Sequence, residues 1–277
     1  MTDASYNGRE TCIQISTGSP IVSSLTTEVA KHAPRLRWVN MIAGIFHAVQ
    51  GVVMIVMSNE MTLPVSATFS SGKPGGAIDG SRLTTLFSYR LGPAVAAFSL
   101  ISAGFHLLVA SPWGFPRYLT ELAAQRNRFR WIEYSLSASL MIVLIAGITG
   151  ITDIAALIAL FGLNIAMILF GWLMETMSRP GAGCNWTAFV FGSLIGAFPW
   201  ITIVIYLVGA GADVPGFVYG IFVSLFLLFN CFAVNQWLQY RSVGPWRRLL
   251  HTEWVYIVLS FVAKTLLAWQ IFANILV

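Results

Sequence analysis

Charge is scarce in this sequence. Asp, Glu, Lys and Arg make up 10% of the 277 residues, where soluble domains carry about a quarter. Together with 57% hydrophobic residues and a mean hydropathy of +0.75, this excludes a water-soluble enzyme, and catalysis is not expected. Cysteine is scarce too: Cys12, Cys184 and Cys231 are widely spaced and form no CxxC pair, which excludes a disulfide framework and a thiolate metal site. The first 35 residues are rich in Ser and Thr and carry Asp3, Glu10 and Glu28, so they lack the apolar core and small-residue cleavage site of a secretory signal. The expectation is a flexible, irregular cytoplasmic tail over 1–35, followed by one domain over 36–277. The net charge is +5, yet the bases sit in short clusters between long apolar runs. That pattern speaks for orientation in a membrane and against a nucleic-acid face.

What the chain has in abundance is long apolar runs. A hydrocarbon core of about 30 Å needs about 20 apolar residues in a helix, and seven runs qualify: 37–57, 91–113, 127–149, 152–175, 187–209, 216–239 and 253–275. Continuous runs of this kind argue for helices, since a barrel would alternate. The predicted fold class is therefore an all-α membrane bundle of seven helices. Arg9, Lys31, Arg35 and Arg37, the Arg117–Arg130 group, Arg179, Arg241, Arg247 and Arg248 fall on the N-terminal side. Lys73, Arg82 and Arg90 are the bases on the other. By the positive-inside rule the N-terminus is expected in the cytoplasm and the C-terminus outside, in a multi-pass protein of the cell membrane. The long outer loop between the first two spans contains an alternating Val65–Phe69, a turn-forming Lys73-Pro-Gly-Gly76 and a returning Leu83–Leu86, consistent with a small hairpin. An irregular Gly/Ser loop fits equally well. In the fifth span, Gly192 and Gly196 are spaced for close helix contact, which would allow dimerisation there.

Lys264 lies near the middle of the last run. An ionised lysine there costs about 2.5–3.5 kcal/mol on insertion scales, so it must be neutral, paired or chemically altered, and the neutral amine is the form that condenses with an aldehyde. The carboxylates read as tail, loop or edge residues, Glu175 and Glu253 among them, with one exception. Glu133 enters the third run, with Ser137 one turn further on the same face. A lone acid and a lone base inside one bundle are natural partners. They could serve a covalent Schiff base or form a structural salt bridge that fixes helix register. His47 shares a stripe with Asn40 and Gln50, and His106 one with Ser99 and Ser102. Such histidines can accept a proton, organise water, or simply pack; a metal site is not expected without a carboxylate beside them.

These residues carry a family pattern: Ser260-Phe-Val-Ala-Lys264 in the last helix, Phe129-Arg-Trp-Ile-Glu133-Tyr-Ser in the third, Phe161-Gly-Leu-Asn164 and Met167-Ile-Leu-Phe-Gly-Trp172 in the fourth, and Val214-Pro-Gly-Phe-Val-Tyr-Gly220 entering the sixth. The chain resembles the heliorhodopsins, retinal-binding seven-helix photoreceptors with inverted topology, over about residues 36–275. The resemblance implies a rhodopsin-like bundle with all-trans retinal bound covalently to Lys264 as a Schiff base, Glu133 as counterion and Ser260 beside the linkage. It places Asn164 and Met167, Trp200, and Phe229 with Gln236 along the chromophore, and matches His47 and His106 to the family's intramembrane histidines. It also implies a dimer. One departure stands out: Ala138 replaces the serine of familiar members, which puts the hydrogen bonding near the linkage in doubt.

A long polyene needs an apolar pocket with flat walls and few polar anchors, which Phe226, Phe229, Trp200 and Trp269 are candidates to supply, with Pro199 bending the fifth helix. The mechanism implied is isomerisation about the 13–14 bond and a long-lived signalling state without net ion transport. With no second intramembrane carboxylate read in the sequence, pumping is disfavoured. A light-driven or light-gated ion transporter is the alternative, and a retinal-free receptor or transporter a third class. The arginines at 126, 128, 130, 247 and 248 read as a cytoplasmic rim facing anionic lipid or an unidentified signalling partner.

Overall fold

A computed structural model describes residues 20–69, 83–178 and 184–277. The elements in order are α1 (Pro20–Met57), β1 (Thr62–Thr68), β2 (Leu83–Arg90), α2 (Leu91–Ala110), α3 (Gly114–Ala123), α4 (Arg128–Ile148), α5 (Ile154–Met177), α6 (Thr187–Ala210), α7 (Gly216–Tyr240) and α8 (Leu249–Ile271). Seven of these helices, all but α3, are long and apolar enough to cross a membrane, as the hydropathy pattern predicts. α4 is the most enclosed of them. Its Met141, Ile142, Leu144 and Ile145 meet Val95 and Phe98 of α2, Ile203 of α6, Ile221 of α7 and Leu267 of α8 in one core.

Two boundaries differ from the sequence reading. α1 starts at Pro20, so residues 20–35 are helical where an irregular tail is expected; residues 1–19 lie outside the described residues. The extension is held because Val29 and Leu36 are buried against Tyr118 and Leu122 of α3 and Leu250 of α8. The second span ends at Ala110 rather than 113 and gives way to α3, a ten-residue helix with no counterpart in the sequence reading. Ser111 makes the break: its Oγ accepts from the Gly114 N–H at 3.0 Å and its carbonyl from Phe115 at 2.9 Å, capping two of the new helix's free amides. α3 buries Gly114, Tyr118 and Leu122, every fourth residue and hence one face.

At the opposite end the expected hairpin is present. β1 and β2 run antiparallel with Thr62 opposite Arg90 and Val65 opposite Phe87, and the register slips between Val65 and Ser66. The turn at Lys73–Gly76 falls outside the described residues. Ser66 donates its N–H to Thr152 O at 2.8 Å, and the hydroxyls of the two residues are 2.8 Å apart. The hairpin is thereby stitched to the α4–α5 connection, where Gly150, at φ +95°, supplies the left-handed residue that ends α4. α3 and the hairpin thus mark the two ends of the bundle.

The glycines of α6 make a close helix contact, and it lies within the chain. A Cβ on Gly192 would lie 2.9 Å from Phe170 Cβ, and one on Gly196 would lie 2.9 Å from Met167 Cγ. Both face α5 of the same chain, so the pair is a seam inside the bundle and is not available to a second copy.

Candidate chromophore site

Lys264 sits midway along α8 and is 2% exposed. Its Nζ donates to Glu133 Oε1 of α4 at 2.8 Å and to Ser260 Oγ, one turn earlier on α8, at 2.6 Å. Glu133 is buried as well, and the same Oε1 lies 2.6 Å from Ser102 Oγ on α2. The ring of Tyr134 stands 5.0 Å from Nζ. Three helices thus converge on one buried ion pair, the arrangement in which an intramembrane charge is tolerated. Ser102 is the member that sequence reasoning missed as a Glu133 partner. Its stripe with Ser99 and His106 gave the correct face but not the neighbour.

The two polar stripes of α1 and α2 meet. His106 Nδ1 is 2.8 Å from Asn40 Oδ1; an amide oxygen only accepts, so this nitrogen carries the proton. Gln50 Nε2 donates to Ser99 Oγ at 3.3 Å. The imidazole of His47 stacks on that of His106 with centroids 5.9 Å apart. It is completely buried, and neither of its ring nitrogens has a hydrogen-bond partner.

Beside Lys264 opens an apolar cavity of about 120 Å³. α4 contributes Tyr134, Ala138 and Met141, α5 Met167, α7 Phe229, Phe232 and Gln236, and α8 Tyr256, Ser260 and Lys264 itself. Residues 134, 138 and 141 follow the helical repeat, so a single face of α4 forms the wall. The chemistry fits an aldehyde-bearing polyene: a primary amine at the cavity, aromatic walls, and Gln236 as a sparse polar anchor, its amide donating to Gly171 O at 3.0 Å.

The heliorhodopsin family model matches residues 36–276. This chain belongs to the heliorhodopsin family. No curated protein matches it by sequence. Among solved structures, it is similar to the crystal structure of cyanorhodopsin from the cyanobacterium Calothrix sp. NIES-2098, with a TM-score of 0.59 and 14% identity over 87% of this chain and 93% of that one. At that identity the likeness shows a shared fold. Heliorhodopsins are a photoreceptor family rather than an enzymatic one, and rhodopsins carry a retinal chromophore. Family and fold together support a multi-pass, retinal-binding, light-responsive membrane protein.

Against the heliorhodopsin pattern, Met167, Phe229, Gln236 and Ser260 line the cavity. Ser137, Asn164 and Trp200 stand one layer back. Ser137 follows Glu133 one turn on along α4 and does not line the cavity; it is fully buried, and its hydroxyl has no hydrogen-bond partner among the described residues. Asn164 donates to Ser139 Oγ at 3.0 Å, tying α5 to α4. Trp200 meets the edges of Phe222, Phe226 and Phe229 at 5.3–5.7 Å and reaches the cavity through Phe229. Phe226 and Trp269, candidate walls by composition, are exposed on the bundle's outside.

The larger departure lies toward the α3 end. Arg130, read as part of a cytoplasmic basic rim, and Glu175 and Glu253, read as edge residues, are all buried. Arg130 Nη1 donates to Glu253 Oε2 at 2.5 Å and Nη2 to Glu175 Oε1 at 2.7 Å, while its guanidinium lies 4.0 Å over the Tyr256 ring. Glu253 Oε1 also accepts from Asn127 Nδ2 and Tyr118 Oη; Glu175 Oε2 accepts from the Asn127 N–H and Trp131 Nε1. Burial, reinforced by the Glu253 carboxylate, pushes the Tyr118 phenol well above its usual range. A small cavity of about 40 Å³ lies between this cluster and Glu133, bordered by Asn40, His106, Asn127 and Ser260 together with apolar side chains such as Phe105 and Val109.

Proposed function

We propose that this protein is a light sensor in which Lys264 holds all-trans retinal covalently, Glu133 is the counterion, and no net ion transport follows illumination. The observation that carries the reading is the buried contact of 2.8 Å between Lys264 Nζ and Glu133 Oε1 at the edge of an apolar cavity. Lys264 Nζ would hold the aldehyde by condensation with loss of one water, and Glu133, which accepts its hydrogen bond, would take up and return the ammonium proton. When bound, retinal supplies visible absorption and a change of shape on isomerisation. Ser260 and Ser102 hold the nitrogen and the carboxylate in register. A proton leaving that nitrogen has the Glu133 carboxylate as its nearest base, and the His47 imidazole, unpartnered among the described residues, offers a further one.

Among the described residues, the buried amine, guanidinium and carboxylates lie at Lys264 or between it and the α3 end: Glu133, Arg130, Glu175 and Glu253, with the buried His47 and half-buried His106 nearby; Asp153, at the hairpin end, is half-buried. Toward the hairpin, Glu60 and Arg90 are exposed and pair with each other. A relay to one end only supports sensing, since transport needs groups leading to both faces. The same one-sided relay is what would favour the second reading, a light-driven or light-gated proton transporter, if it continues past Lys264. The basic residues at the α3 end support a cytoplasmic N-terminus, and we place there the surface a signalling partner would meet.

Two measurements test this. Protein expressed with all-trans retinal is expected to absorb in the visible, and Lys264→Ala to be colourless; colour that survives the substitution overturns the assignment. Illuminated vesicles are expected to show no sustained pH change, and a sustained change that Lys264→Ala abolishes would favour the transporter.

A further inference from the structure

We infer that Gly196 of α6, a residue outside the cavity, sets the space available to the chromophore by determining where Met167 lies. This deepens the reading above and rests on it. Met167 of α5 lines the cavity, and its thioether is in van der Waals contact with the space a Cβ on Gly196 would occupy. Such a Cβ would fall 2.9 Å from Met167 Cγ and closer still to Sδ. One of them must move. Methionine is unbranched and rotates easily, so the side chain yields before the helices do, and the side away from α6 is the cavity.

Two neighbouring glycines show why this position differs. A Cβ on Gly171 would meet the Trp131 ring at 2.7 and 2.8 Å, and that ring is fixed by its bond to Glu175. A Cβ on Gly192 would meet Phe170 Cβ, which is tied to the backbone of α5. Substitution at either strains the fold, as overpacking does. At Gly196 the strain has a flexible route out, and the route ends in the chromophore's space. Glycine there is a pocket-shaping residue acting through Met167.

The experiment compares wild type, Gly196→Ala, Met167→Ala and the double variant. Three readouts are followed: the absorption maximum with retinal, the affinity of the apoprotein for retinol by its fluorescence, and the melting temperature of the apoprotein. Retinol is an alcohol and makes no bond to Lys264, so it reports space alone. Gly196→Ala is expected to keep the wild-type melting temperature, to shift the absorption maximum and to weaken retinol binding severalfold. Both effects are expected to vanish in the Met167→Ala background, the signature of coupling through that side chain. Unchanged absorption and retinol affinity overturn the inference, as do effects of equal size in both backgrounds or a Gly196→Ala protein that does not fold. A wild type that stays colourless defeats the underlying chromophore assignment instead, and is told apart by failing before any variant is compared.

Discussion

Lys264 and Arg130 are both buried cations reached by carboxylates from other helices, and they are built on opposite plans. Arg130 lies between Glu175 and Glu253, with an aromatic ring across its face, and each carboxylate accepts three hydrogen bonds. Lys264 has one carboxylate and one hydroxyl, and borders open apolar space. A charge enclosed by donors and acceptors has nowhere to go and joins α3, α4, α5 and α8 as a strut. A charge with one side left open retains a direction in which to react. The guanidinium suits the first task because it is planar, forked and permanently ionised; an amine suits the second because it can give up its proton and form a bond. Tyr256 touches both regions, lining the cavity at one and carrying the guanidinium at the other.

The contrast yields a ranked set of tests. The largest effect belongs to Lys264→Ala, which is expected to remove the visible chromophore entirely, read by absorbance after reconstitution. Next comes Arg130→Gln. Removing one partner from a buried ion cluster costs about 3–5 kcal/mol, so the unfolding midpoint should fall sharply while the protein that remains folded absorbs at the wild-type wavelength. A shifted wavelength with an unchanged midpoint would reverse the roles given to the two sites.

Tyr118→Phe removes one of three donors to Glu253 and should cost about 1.5 kcal/mol, the lower range for a hydrogen bond to a charged group. Its pH dependence has a definite sign. The native phenol keeps its proton at pH values where the unfolded chain has lost it, so the stability it lends is fully present below about pH 10 and is lost as pH rises beyond. The difference between wild type and Tyr118→Phe should therefore shrink in alkaline unfolding curves and be fully present at neutral pH. The smallest effect is expected from Ala138→Ser. The new hydroxyl can bond to the Tyr134 carbonyl one turn back, leaving stability within about 1 kcal/mol of wild type while shifting the absorption maximum. A spectrum identical to wild type would show that this wall does not sense the chromophore.

The open site was legible in the sequence and the closed one was not, for the same reason. Lys264 and Glu133 interrupt long apolar runs, so their oddity is visible one helix at a time. Glu175 and Glu253 lie near the ends of theirs, where a carboxylate ordinarily meets water, and only the convergence of α4, α5 and α8 encloses them. Arg130 was hidden by Arg126 and Arg128 beside it. Helical spacing placed Asn40 with His47 and Ser99 with His106 on inward faces, yet it is silent on which inward residue meets which, and so Ser102 was not matched to Glu133. Gly192 and Gly196 announced a close helix contact without saying whether the other helix belongs to the same chain. α3 was obscured because Pro112 and Trp113 carry the apolar run of α2 on to the start of α3, past the point where Ser111 turns the chain.

The length of α1 has a mechanical meaning. Its 38 residues extend about 57 Å at 1.5 Å each, nearly twice the thickness of the hydrocarbon layer. The portion beyond the bilayer leans on α3 through Val29 and Leu36, while His47 sits deep inside beside the α2 imidazole. A tilt of about 5° pivoting at the hairpin end would sweep the far tip through about 5 Å by that geometry. At that length, any change of tilt imposed deep in the bundle would be magnified at the far end.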